Sequence, residues 1–68
     1  MKTGQLIRRH RESLGLTQAQ LHDQAGLAGT RISISRYERN THAPNIYTLR
    51  RIARVVGVTV DELIGDEP

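Results

Sequence analysis

The sequence predicts an all-α fold of five short helices, and three observations carry that prediction. Leu49, Ile52, Ala53 and Val56 fall at i, i+3, i+4 and i+7, the spacing of one apolar stripe on a helix. Thr17-x-x-Gln20 and Thr59-x-x-Glu62 have the form of capping boxes, in which each side chain satisfies an orphan amide at a helix start. Gly15, Gly26 and Gly57 each follow an apolar helical segment, where a chain leaving a helix often turns left-handed.

In chain order, the first helix is expected from about Gly4 to Leu14. Thr3 is its N-cap, Leu6, Ile7 and Leu14 its apolar residues, and Gly15 its stop. Leu16 follows as a plug for the core. The second helix starts at Thr17 and ends at Ala25-Gly26, where glycine supplies the permissive backbone of a tight turn. The third starts after Thr30 and ends near Arg39, with Asn40 suited to the left-handed C-terminal position. Thr41-His42-Ala43-Pro44 is a loop. Asn45 caps the fourth helix, Gly57 stops it, and Thr59 opens a last turn containing Leu63 and Ile64. The run from Val55 to Val60 has the composition of a strand. Its flanking helical periodicity, the Thr59 cap and the lack of a partner strand argue for helix and turn instead.

A chain of 68 residues has room for one small domain, read here as residues 1–68. Such a domain buries roughly 60% of its unfolded surface, so its stability margin is thin. There is no cysteine, which excludes a disulfide framework or a thiolate metal site. Met1-Lys2-Thr3-Gly4 leads directly into an amphipathic segment rather than the apolar run of a signal peptide. No segment approaches the ~18 apolar residues of a membrane span, so a soluble cytoplasmic protein is expected. His10, His22 and His42 lack a local metal-ligand spacing; two read as core-edge residues and one as a loop residue, and neither metal nor cofactor is expected. No nucleophile–base pair or phosphate-cradling glycine loop is visible, so an enzyme is not expected.

The charge is unevenly placed. All ten Lys and Arg lie within residues 1–60, opposed there only by Glu12, Asp23 and Glu38. Asp61, Glu62, Asp66 and Glu67 crowd the other end, with residues 65–68 forming an acidic tail. A basic body favours a polyanionic partner, and the acidic end is expected to face away from it.

Several sequence words then converge. Leu14-Gly15-Leu16-Thr17-Gln18, Ala25-Gly26-Leu27, Ile34-Ser35-Arg36-Tyr37-Glu38-Arg39, Pro44, Thr48-Leu49, Ile52-Ala53 and Val58-x-x-Asp61-Glu62-Leu63 occur in this order. Together they resemble the Cro/C1-type (XRE-family) helix-turn-helix domain of lambdoid phage repressors and small bacterial regulators, from Ile7 to Leu63. The resemblance implies a compact five-helix, lambda-repressor-like DNA-binding domain with its helix-turn-helix at about 17–39. It implies that helix 30–39 enters the major groove of double-stranded DNA and that Gln18 bonds a phosphate. Thr17, Ser35, Arg39, Asn40, Thr41 and His42 are the other candidate backbone contacts. It further implies that Arg11 pairs with Glu38, tying helix one to the end of helix three.

The residues of helix three can be read without that resemblance. With Ile34 toward the core, 100° per residue places Tyr37 and Glu38 on the same side. Ile32, Arg36 and Arg39 fall opposite, with Ser33 and Ser35 on the flanks. Arginine can bond guanine O6 and N7 bidentately, serine can bond several base edges, and an exposed isoleucine can meet a thymine methyl. Arg31, Ile32, Ser33 and Arg36 are therefore the candidate base contacts. Two registers fit, because the turn from Leu27 to Ser33 is about two residues longer than is usual in the resembled family. Counting back from Glu38 makes Ile34 the core residue, and counting forward from Gly26 makes it Ile32. The first is preferred because it keeps Ile34, Tyr37 and Glu38 together. His22 stands where the family has a small alanine, and His10 where it has an apolar residue.

The expected function is a sequence-specific transcriptional regulator, a repressor on a palindromic operator. Too few contacts come from one module, so a homodimer is expected, with Val60, Leu63 and Ile64 as candidate seam residues. The alternative is a DNA-binding antitoxin or a protein-interaction module whose main partner is another protein.

Overall fold

Side chains at three helix starts set the frame of the fold. Thr17 Oγ1 accepts from the Gln20 amide at 3.0 Å, and Gln20 Oε1 accepts from the Thr17 amide at 2.8 Å. Asn45 Oδ1 accepts from the Thr48 amide at 2.9 Å, and Thr59 Oγ1 from the Glu62 amide at 3.2 Å. The box at Thr59 closes on one side only, since no bond from the exposed Glu62 carboxylate returns to Thr59 among the described residues. In this computed structural model, which describes residues 1–65, the helices are α1 (Thr3–Ser13), α2 (Gln18–Ala25), α3 (Ile32–Glu38), α4 (Ile46–Val56) and α5 (Val60–Leu63). Asp66 and Glu67 of the acidic tail lie outside the described residues. Asn45→Ala is expected to cost about 1 kcal/mol of stability, read from the urea midpoint, because it strips the first turn of α4 of its acceptor.

Each helix sends one side chain to complete burial: Ile7 from α1, Leu21 from α2, Ile34 from α3, Ile52 from α4 and Leu63 from α5. Leu49, Ala53 and Val56 extend the α4 stripe into the same cluster. Each fully buried Ile or Leu contributes about 1.5–3 kcal/mol of transfer free energy, so five of them supply the main driving force of a domain this small. The stripe on α4 is the element most completely legible in the sequence.

Three expectations about α1 and its neighbourhood are corrected. Thr3 is the first helical residue, and Lys2 holds the N-cap position, its amide donating to Gln5 Oε1 at 2.8 Å. The Thr3 hydroxyl instead accepts from the Gly65 amide at 3.0 Å, fastening the chain beyond α5 to the start of α1. Leu14 is half exposed, because α1 ends at Ser13 and the next residue turns outward. Leu16 is half-buried and outside the core cluster; what it gives the fold is its carbonyl.

The start of α1 also rests on the end of α3. Asn40, the one non-glycine residue with positive φ (60°) among those described, turns its Oδ1 to the Gly4 amide at 3.1 Å. An amide that α1 cannot satisfy internally is thus capped from 36 positions away. The approach is so close that a Cβ on Gly4 would overlap the Tyr37 carbonyl oxygen and lie 2.8 Å from Asn40 Oδ1. Among the described residues, no helix is long and apolar enough to cross a membrane.

Candidate nucleic-acid interface

α3 is fixed by one face and free on the other. Ile34 is fully buried and Tyr37 packs against the core, while Ile32, two residues earlier, is 55% exposed. The structure therefore selects the register counted back from Glu38. The longer connection before α3 takes up the extra residues at the surface, where added length costs little.

Behind α3 lies a buried ionic cluster. Arg11 Nε donates to Glu38 Oε2 at 2.7 Å and Nη2 to Oε1 at 3.0 Å, a two-pronged pair with side chains 10% and 4% exposed. The third arm, Nη1, donates to the Leu16 carbonyl at 2.7 Å, and Gln18 Nε2 donates to Glu38 Oε1 at 3.1 Å. The hydrogen bond to Glu38 is the main cause that raises the Arg11 pKa above its ordinary value; burial opposes it, and the charges of Glu38 and Glu12 assist. No buried side-chain nitrogen or oxygen among the described residues is left unpaired. One carboxylate at the end of α3 thereby collects α1, the chain before α2, and the first residue of α2.

The candidate contact residues can now be placed. Arg31, Ile32 and Arg36 are exposed and Ser33 is half-buried. Thr17, Arg39, Asn40, Thr41 and His42 are exposed; Gln18 and Ser35 are half-buried. A shallow depression between the starts of α2 and α3 brings Thr17, Gln18, Ala19 and Arg31 together over Arg11. Some of these groups already have internal work. The Thr17 hydroxyl caps α2, one Gln18 amide hydrogen is held by Glu38, and Asn40 Oδ1 is held by Gly4. Each keeps a donor for an outside acceptor: the Thr17 hydroxyl hydrogen, the second Gln18 hydrogen, and the Asn40 NH2.

Neither the Gln18–Glu38 bond nor the Asn40–Gly4 bond was read from the sequence, since both join residues twenty or more positions apart. Lys2, Arg8, Arg9, Arg50, Arg51 and Arg54 are exposed on other helices. Of these, Arg8 pairs with Glu12 at 3.2 Å, a solvent-screened contact of little energetic weight. Among the described residues, no three His, Asp or Glu side chains gather as a metal site.

The helix-turn-helix family model matches residues 7–63. The chain belongs to the helix-turn-helix family. The Cro/C1-type resemblance read from the sequence thus holds, as does the five-helix fold it implied. This helix-turn-helix chain is 42% identical over 52 residues to an uncharacterized HTH-type transcriptional regulator of Methanothermobacter thermautotrophicus, covering 76% of this chain and 72% of that protein. It is 34% identical over 67 residues to the immunity repressor protein of Bacillus phage phi105, covering 98% of this chain and 45% of the phage protein. The chain therefore spans less than half the length of that repressor. Among solved structures, the P22 c2 repressor protein in complex with synthetic operator 9T superposes with a TM-score of 0.88 at 27% identity, covering 98% of each chain.

Proposed function

We propose that this helix-turn-helix chain is a sequence-specific DNA-binding transcriptional regulator that acts as a repressor by laying α3 in the major groove. The carrying observation is the division of α3: Ile34, Tyr37 and Glu38 hold it to the body, while Arg31, Ile32 and Arg36 stand free on the outer side. A rigid helix with arginines on its open face is suited to read guanine edges. Arg39, Thr41 and His42, exposed just beyond it, are suited to a phosphate backbone, as are Thr17 and Gln18 at the start of α2. The operator complex of the P22 c2 repressor supports the same reading by similarity.

The operator is two-fold symmetric in this reading and two copies occupy it. The domain measures 31 Å in its longest direction, against half-sites about 34 Å apart when they are one helical turn distant, so neighbouring copies come within reach. Of the seam candidates, Leu63 is taken by the core and Val60 packs against it, which leaves Ile64, 51% exposed, as the free apolar residue.

Selection of binding sites from random duplex DNA tests the proposal. The expected product is a palindrome, and affinity for it should fall linearly on a logarithmic salt scale, with the slope counting the phosphates contacted. Arg36→Ala should lose about 1–3 kcal/mol of preference at one base pair of each half-site. An unselective pool, or unchanged sequence preference in Arg36→Ala, sinks the assignment of α3 and of that residue respectively.

A further inference from the structure

We propose that His22 is a positioning residue for DNA recognition: its imidazole holds the connection between α2 and α3 and thereby seats the base-facing end of α3. The inference rests on the DNA-binding reading above. Six residues, 26–31, separate Ala25 at the end of α2 from Ile32 at the start of α3. Backbone bonds secure both ends. Gly26 and Leu27 donate back to Asp23 and His22 at 3.2 and 3.3 Å, and Ser33 and Ile34 donate to Thr30 and Arg31 at 3.1 and 3.0 Å. The middle has no such support. Ala28 and Gly29 are exposed, and Gly29 is left-handed (φ 81°) with open space where a side chain would be.

His22 reaches that middle. It is 7% exposed on α2, and its Nε2 lies 3.4 Å from the Ala28 carbonyl. Among the described residues, no other side chain from outside the connection hydrogen-bonds its backbone. A carbonyl only accepts, so the tie requires the hydrogen on Nε2; Nδ1 lies 3.6 Å from the exposed Asp23 carboxylate. Three residues beyond Ala28 comes Arg31, and then Ile32, both on the side of α3 offered to bases. From its third residue onward α3 is held independently, by Ile34 and Glu38. Loss of the imidazole therefore frees the leading end of α3 while its far end stays anchored. The long connection and the histidine are two parts of one arrangement.

The test compares the full chain with His22→Ala and His22→Gln, a glutamine amide being able to donate to the same carbonyl. Amide hydrogen exchange in the free proteins is expected to quicken about ten-fold at the Ser33 and Ile34 amides, which bond back to Thr30 and Arg31 in the connection, in His22→Ala relative to α1 and α4, the size of one lost hydrogen bond. The ratio of affinities for the selected operator over a scrambled duplex is expected to fall about ten-fold. Glutamine should restore part of both. Protection and selectivity in His22→Ala equal to those of the wild type would overturn the proposal. If His22→Ala does not fold, imidazole nitrogen-15 spectra of the wild type decide: a hydrogen on Nε2 supports the tie, and a bare Nε2 overturns it. A wild-type chain that selects no duplex would defeat the DNA-binding reading, while the exchange data would still judge the tie by itself.

Discussion

Arg11→Ala is expected to lower folding stability by about 3–5 kcal/mol, the cost of leaving one partner of a buried ion pair uncompensated. The substitution strands the Glu38 carboxylate, 4% exposed, with only the Gln18 amide, and removes the donor from the Leu16 carbonyl. A domain of this size has roughly 3–10 kcal/mol in total, at 0.05–0.15 kcal/mol per residue, so the loss removes about a third of that margin or more. Replacing both partners by apolar residues, Arg11→Met with Glu38→Leu, should recover most of the loss, because the desolvation of both charges disappears together. The double variant should nonetheless bind its operator more weakly, since Gln18 no longer has the carboxylate that holds it. Urea denaturation and operator titration measure the two effects, and a wild-type midpoint in Arg11→Ala would show that the pair does not carry the fold. On the arginine side the pair is insensitive to pH. The raised pKa means its contribution is complete below the ordinary arginine range and is lost only as pH climbs through the raised value.

Gly4→Ala should cost about 2–4 kcal/mol, opposite in sign to the ordinary effect of that exchange within a helix. Alanine normally gains up to about 1 kcal/mol over glycine at an interior helical position. Here the added methyl meets the Tyr37 carbonyl oxygen, a backbone atom that cannot rotate away, and crowds Asn40 Oδ1. α1 must move off the end of α3, straining the packing and losing the bond from the Gly4 amide to Asn40. Thermal or urea unfolding reads the change directly. A stability equal to or above that of the wild type would mean that α1 and α3 are not in this close contact. The same variant probes function, because the displaced residue Asn40 borders the exposed Arg39 and Thr41.

The parts of the fold that were legible were those governed by neighbours in the chain. The Thr17 and Asn45 caps, the left-handed Gly26, Gly57 and Asn40, and the α4 stripe all follow from residues within four or five positions. The misreadings share an opposite cause. Thr3 has the form of a cap because a threonine before a helix satisfies a local amide, yet its hydroxyl is taken by Gly65, 62 positions away. Leu14 and Leu16 looked apolar enough for the core, but α1 ends one residue too early to carry Leu14 inward. Of the candidate contact residues, the outward Arg31, Ile32 and Arg36 were legible from helical rotation once Ile34 was set inward. The second duties of Gln18 and Asn40 were not.

By itself, then, the sequence determined five short helices, the caps of three of them, a basic body, the family, and an outer face of α3 rich in arginine. Hydrogen bonding within a turn and hydrophobic periodicity are local, so a single chain read in order reveals them. Only the tertiary structure decided between Ile32 and Ile34 as the core residue, because either can be turned inward until α1 and α2 close over one of them. It likewise decided that Glu38 gathers Arg11 and Gln18, that Gly4 meets Asn40, and that His22 meets Ala28. Those bonds depend on where separate helices come to rest, and that position is set by the packing of the whole core.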